Sequence, residues 1–154
     1  GVYVSPIFVT RIEDKQGNVI SEFNNHKREA ISENTAYLMA NLMQGVINQG
    51  TGSRIRSVYR ISGQVAGKTG TSFGVVPGGG YQTEDRRKYY QSTFVGYFPA
   101  EKPEYTIIST LYSELSLTDS SLQGGGIPAR AVKTTINGIF NIDPAFREVL
   151  YKAE

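Results

Sequence analysis

Lys68-Thr69-Gly70-Thr71, set within Val65-Ala66-Gly67-Lys68-Thr69-Gly70-Thr71-Ser72, is the stretch of this chain whose residue types can do chemistry together. Lys68 supplies a positive charge, and Thr69 and Thr71 supply hydroxyl donors, which is what an anion needs from a protein. Gly70 lacks a Cβ, so a ligand or another backbone can approach closely there. The β-branched entry and the hydroxyls favour a strand. The N–H and C=O groups of such a strand, through Ser72, can pair with an extended ligand laid along it.

Two other readings compete. Gly67-Lys68-Thr69 also matches the end of a phosphate-binding loop, G-x-x-x-x-G-K-[ST], which requires a glycine at position 62. Ser62 stands there and Gly63 is one residue too close, so nucleotide binding is disfavoured. The plainer alternative is an ordinary strand edge. The surrounding elements decide between them.

Several elements must hold this strand. Ile7, Phe8, Val9 and Ile12, a turn at 13–18, and 19–23 read as a β-hairpin. The polar run around His26 reads as a solvated loop. Ser32 is a helix N-cap candidate with Glu33 in the first turn, and Gly50 can end that helix. Ala36, Met39, Ala40, Met43, Val46 and Ile47 recur at helical spacing, widened by Leu38 and Leu42. Gly50-Thr51-Gly52 reads as a mobile turn, and the basic stretch 54–60 as a solvated loop.

The motif strand is expected over about 64–72, with 73–88 a long glycine-rich connection beside its end. Residues 90–98 and 105–112 read as two further strands joined by the turn at 101–104. A loop over 117–126 carries Gly124, Gly125 and Gly126. Pro128 then opens a second helix, with Ala131, Val132, Thr135, Ile136, Ile139 and Phe140 on one face and Asp143-Pro144 at its end. The tail from 145 to 154 is either a further short helix or a frayed end. Hairpin, helix, three strands and helix make an α+β domain: an antiparallel β-sheet with helices packed on it.

Composition sets outer bounds. With 154 residues the chain is long enough for one domain with a core. Apolar residues at 39% against 19% charged place it among globular sequences rather than disordered ones. A net charge of +2 is too small to argue for nucleic acid. The absence of cysteine excludes disulfides, zinc–thiolate sites and cysteine nucleophiles, and a single histidine, His26, excludes a multi-histidine metal site. No apolar run approaches bilayer-spanning length, and no signal peptide opens the sequence.

The order of elements, with Lys68-Thr69-Gly70-Thr71 on the first strand of the triplet, resembles the C-terminal portion of a penicillin-binding protein transpeptidase domain, of the β-lactamase-like fold. The helix followed by Gly50-Thr51-Gly52 looks like the family's helix and G-T-G turn. Lys68-Thr69-Gly70-Thr71 looks like its third signature. Thr93-Phe94-Val95-Gly96-Tyr97-Phe98-Pro99-Ala100 looks like its next strand, and Gly124-Gly125-Gly126 like its closing glycine turn. That strand, with Pro103-Glu104-Tyr105, looks more like the class B, monofunctional type. The resemblance covers 1–142, leaving 143–154 as a C-terminal tail.

The family's nucleophile is the serine of S-x-x-K, and no S-x-x-K occurs in this sequence. Ser32-Glu33-Asn34 spells the second signature, S-x-N, but lies closer to Lys68 than the family places it, where a helix cap belongs.

The resemblance implies serine acyl transfer on peptidoglycan stem peptides ending in D-Ala-D-Ala, acylation by β-lactams, and no cofactor. It implies one wall of that site for this chain. Lys68 would lie near the substrate carboxylate and Thr69 and Thr71 would bond it. The Thr71 N–H would be an oxyanion donor, and the edge from 68 to 72, including Gly70 and Ser72, would pair with substrate. The chain alone is expected to be inactive. Its partners would be the missing N-terminal half of the domain, or a second copy covering an exposed apolar patch. The implied location is extracytoplasmic, on the periplasmic face, with the parent anchored in the cytoplasmic membrane by a segment absent here. A non-catalytic β-lactam or peptidoglycan sensor module is the alternative.

Overall fold

The computed structural model describes residues 1–76, 78–81, 88–114 and 123–152. Position 77 and residues 82–87 of the glycine-rich connection, residues 115–122, which include 117–122 of the second loop, and 153–154 of the tail lie outside the described residues. The chain divides into two units, Gly1–Met39 and Ala40–Glu154.

The first unit is built from two short antiparallel ribbons. Strand β2 (Arg11–Glu13) pairs with β3 (Val19–Glu22), and β1 (Val2–Val4) pairs with β4 (Lys27–Glu29). The β2–β3 turn is fixed by Asp14, whose carboxylate accepts hydrogen bonds from the Gln16 and Asn18 amides at 2.8 and 2.9 Å and from Asn18 Nδ2 at 2.8 Å. Gly17 takes φ 86°, a left-handed conformation that suits glycine.

The expected hairpin is therefore present, but its first strand begins at Arg11 rather than at Ile7. Ile7, Phe8 and Val9 are apolar yet join no strand: the ribbon's last rung is the Phe23 N–H to the Thr10 carbonyl at 2.9 Å, and beyond it the chain turns away so that its next strand pairs with β1. β4 was not foreseen: all three of its residues are exposed, so no alternation marks it as a strand. His26 is exposed, as expected of a solvated position.

Helix α1 (Glu33–Asn48) starts and stops where its caps indicate. The Thr35 N–H donates to Ser32 Oγ at 3.2 Å, the N-cap to N3 bond. The Gly50 N–H returns to the Gly45 and Val46 carbonyls. Ile47 is fully buried, whereas Tyr37, Leu38 and Leu42 are exposed, so the widened side of the apolar face is uncovered.

The second unit carries a continuous core. β5 (Ala66–Gly74), β6 (Tyr89–Phe98) and β7 (Tyr105–Glu114) form an antiparallel sheet in that order, with β6 central. Along β6 the residues Tyr90, Ser92, Phe94, Gly96 and Phe98 are buried and their neighbours are not, the period of two that defines a half-buried strand. Helix α3 (Ile127–Ile142) has Pro128 in its first turn and buries Ala129, Val132, Ile136 and Phe140. These join Ile47, Ile55, Val65, Phe94 and Phe98 in one cluster. Each fully buried side chain of this size contributes roughly 1.5–3 kcal/mol.

Two stretches differ from expectation. The basic stretch 54–60 is not a solvated loop: α2 (Arg54–Ser57) buries Ile55 completely, and Arg56 reaches inward to donate to the Ile61 carbonyl at 2.7 Å and to the Gly63 carbonyl. Burial lowers the pKa of Arg56, opposed by the nearby Tyr151. The tail is a helix rather than a frayed end: α4 (Phe146–Tyr151) buries Phe146 and Leu150, with the Phe146 ring edge-on to Tyr105 at 4.9 Å between centroids.

Candidate functional site

β5 is an edge strand. Among the described residues its only strand partner is β6, in the register Lys68↔Val95, Thr69↔Phe94, Gly70↔Thr93, Thr71↔Ser92 and Ser72↔Gln91. The pleat therefore divides the singled-out residues. Thr69 and Thr71 lie on the face that carries Phe94 and Ser92, towards the core. Lys68, Gly70 and Ser72 lie on the opposite face. Strand periodicity thus brings the two hydroxyls together and sets the ammonium across the edge from them.

The hydroxyls are already positioned by the chain's own turns. Thr69 Oγ1 is 2.6 Å from Thr51 Oγ1. Thr71 Oγ1 accepts the Gly124 N–H at a long 3.4 Å. Both contacts leave donor capacity. Thr71 uses only a lone pair, so its O–H is unspent, and a pair of hydroxyls shares one proton, so one O–H of Thr51 and Thr69 remains available. Lys68 Nζ donates to the Thr69 carbonyl at 2.8 Å and is exposed. The one ion pair among the described residues is Arg11 with Glu13 at 2.6 Å, so the charge of Lys68 is not neutralised by the described part of the chain. The Ser72 hydroxyl donates weakly to the Gln91 carbonyl at 3.4 Å. Beside Thr71, the Ser92 hydroxyl is buried with no partner among the described residues, and an orphan of this kind typically costs about 1–3 kcal/mol.

Two glycine turns, 50–52 and 124–126, meet these hydroxyls, and the second needs glycine for space. A Cβ on Gly124 would lie 2.3 Å from the Thr93 carbonyl oxygen and 2.6 Å from that of Gly70; one on Gly125 would lie 2.0 Å from the Thr51 carbonyl oxygen. The Tyr59 hydroxyl donates to the Gly126 carbonyl at 2.7 Å and fixes the far end of the turn. The turn at 50–52, expected to be mobile, is thus packed between β5 and residues 124–126. Thr51, Tyr59, Gly124 and Gly125 were not among the candidate residues. The signal for Thr51, Gly124 and Gly125 was the pair of glycine runs, since repeated glycines mark places where backbones meet, and Tyr59 carried none.

This arrangement can hold an anion along a free strand edge: a cation, at least two hydroxyl protons, and unpaired backbone for an extended ligand. Among the described residues no group of three histidine, cysteine, aspartate or glutamate side chains is placed to hold a metal, and no helix is long and apolar enough to cross a membrane.

Sequence and fold comparisons converge on one family. The penicillin binding protein transpeptidase domain family matches residues 1–136. Penicillin-binding protein 1A of Clostridium novyi is 38% identical over 72 residues, which is 47% of this chain and 8% of the relative. The peptidoglycan D,D-transpeptidase FtsI homolog of Mesostigma viride is 28% identical over 124 residues, covering 72% of this chain and 20% of the relative. The solved D,D-transpeptidase domain of a peptidoglycan glycosyltransferase from Eggerthella lenta superposes with a TM-score of 0.61 at 25% identity, over 94% of this chain and 29% of that one. The chain thus spans a fifth or less of these two curated relatives and under a third of the solved structure.

Proposed function

This chain belongs to the penicillin-binding protein transpeptidase family, and on that premise we propose that it supplies the carboxylate and oxyanion wall of a serine D,D-transpeptidase site whose nucleophile lies elsewhere. In the reaction a serine hydroxyl attacks the penultimate D-Ala carbonyl and the terminal D-Ala leaves. The amine of a neighbouring stem peptide then takes the acyl group; a β-lactam stops at the acyl-serine. Thr69 and Thr71 donate to the terminal carboxylate and Lys68 balances its charge. The Thr71 N–H serves as one oxyanion donor, a kind of contact worth ~3 kcal/mol of barrier. The edge through Gly70 and Ser72 pairs with the extended peptide.

The single observation that carries this reading is the placement of two hydroxyls, each with a proton to spare or to share, side by side on an edge strand next to an unneutralised lysine. The working site sits in an extracytoplasmic protein, without nucleic acid or cofactor. The exposed apolar side chains are covered there by the rest of the same domain; in the isolated chain they favour a homodimer.

The test uses the 154-residue chain. An intact mass taken after incubation with a β-lactam should show no adduct; a stoichiometric adduct would place the nucleophile in this chain and overturn the division proposed. In parallel, amide NMR shifts are followed while adding a peptide ending in D-Ala-D-Ala, and the same peptide ending in an amide. Shifts at 68–72 are expected with the acid only. Thr71→Val should weaken that binding about tenfold, the effect of one hydrogen bond to a charged group. Equal shifts with the amidated peptide would rule out a carboxylate wall.

A further inference from the structure

A second charged feature lies between α2 and α3, within the second unit. The lining of a groove of about 530 Å³ includes Arg54, Tyr59, Arg130, Lys133, Thr134 and Asn137 beside two apolar side chains, with no acidic side chain among its lining residues. The sequence has almost as many acids as bases, 14 against 16. Three cations without an acid are therefore not what composition alone would place there.

None of Arg54, Arg130 and Lys133 makes an ion pair or a side-chain hydrogen bond among the described residues. Arg54 Nε is buried and has no acceptor among the described residues. That buried nitrogen anchors the guanidinium in place, and a ligand in the groove would be met by its terminal nitrogens. Arg130, Lys133, Thr134 and Asn137 recur every three or four residues, so they form one stripe of α3, about 10 Å long. A groove of this length, with cations along it and a hydroxyl and an amide between them, is longer than a single anionic group requires.

We propose that the α2–α3 groove binds a ligand carrying two or more phosphate groups, held by Arg54, Arg130 and Lys133. Guanidinium forks and an ammonium suit phosphate oxygens, and Thr134 and Asn137 add neutral donors. The Tyr59 hydroxyl proton is already given to Gly126, so Tyr59 contributes its ring and a lone pair. The inference stands apart from the transpeptidase reading, since the groove shares no residue with the 68–72 edge.

The test titrates the full chain with tripolyphosphate and with inorganic phosphate, and separately with vesicles of equal parts phosphatidylcholine and cardiolipin, whose headgroup carries two phosphates. Amide NMR of α3 and cosedimentation are the readouts. Arg130 and Lys133 are both exposed, so the double variant Arg130→Ala/Lys133→Ala should keep its fold, checked by thermal melting. The control Lys102→Ala/Lys152→Ala removes the same charge from the groove that also contains Glu101. Saturable tripolyphosphate binding, weakened at least about tenfold in the first variant and unchanged in the control, upholds the site. The same pattern on vesicles also upholds it and assigns the phosphates to lipid headgroups. No binding to either, equal loss in both variants, or inorganic phosphate binding as tightly as tripolyphosphate would overturn it.

Discussion

The two units of the chain are held together by different physics. In Gly1–Met39 no apolar side chain is buried: Phe8 is 101% exposed, and Val2, Val9, Ile20 and Phe23 are also exposed. Its order comes from ribbon hydrogen bonds, the Asp14 turn, the Ser32 cap and Arg28 stacked over the Tyr3 ring at 5.0 Å. In Ala40–Glu154 a single cluster runs from Ile47 through the sheet and α3 to Leu150. Two-stranded ribbons are marginal in water by themselves, whereas a three-stranded sheet packed on helices is not. The cohesion of the chain therefore lies in the second unit, and so does the candidate site. The first unit presents apolar side chains still needing a cover.

The sharpest way to break that contrast is to empty one position in each unit. Phe94 is fully buried at the centre of β6, and Phe94→Ala should cost about 3–5 kcal/mol, enough to unfold much of the population at moderate urea. Phe8→Ala should change the same urea midpoint by less than about 0.5 kcal/mol, because no burial is lost. Comparable losses would mean that Phe8 is buried in solution, by self-association or otherwise. Repeating the melt over a range of protein concentrations would tell those apart.

The next largest effect is expected where the core meets the site. In Gly124→Ala the new methyl would meet backbone oxygens of both β5 and β6, which cannot swing away as a side-chain tip can. The turn must lift, at a cost of about 1–3 kcal/mol. The Thr71 contact goes with it, so the D-Ala-D-Ala shifts at 68–72 should weaken along with the melt. Unchanged binding in a destabilised Gly124→Ala chain would show that the glycine turn braces the fold but does not position the hydroxyls.

The contrast also explains what the sequence made legible. β6 and α3 could be read because burial on one face imprints a period: alternate residues from Tyr90 to Phe98 in the strand, and Val132, Ile136 and Phe140 in the helix. β4 could not, because Lys27, Arg28 and Glu29 are exposed on both faces and burial leaves no pattern on them. The stretch 54–60 was misread because its charges outnumber the one residue that matters, Ile55, and because Arg56 spends its donors inside. At the site, Lys68 to Ser72 were legible as a local string. Their partners were not: Thr51 is 18 residues from Thr69 and Gly124 is 53 from Thr71, separations that only the fold closes. The opposition of Lys68 to the two threonines follows from the pleat, and needed only the strand assignment to be drawn out.

The smallest expected effect separates the units by pH. In the folded chain the hydrogen bond from the Asn18 side chain, then that from the Asn18 amide, hold the Asp14 carboxyl below its ordinary value, against desolvation. A depressed carboxyl stabilises the fold above its unfolded pKa, and that contribution fades as pH falls from there through the folded value. Acid should therefore loosen the β2–β3 turn first. The Gln16 and Asn18 amide signals should shift together as pH drops below the usual aspartate range, while those of Phe94 and Ile136 hold. Asp14→Asn keeps one acceptor oxygen but cannot titrate, so its turn signals should stay flat over that range. If the core signals moved in step with the turn in the parent chain and stopped moving in Asp14→Asn, the ribbons and the core would unfold as one. The separation of the chain into a polar-tied unit and a packed unit would then be a feature of burial alone, and not of stability.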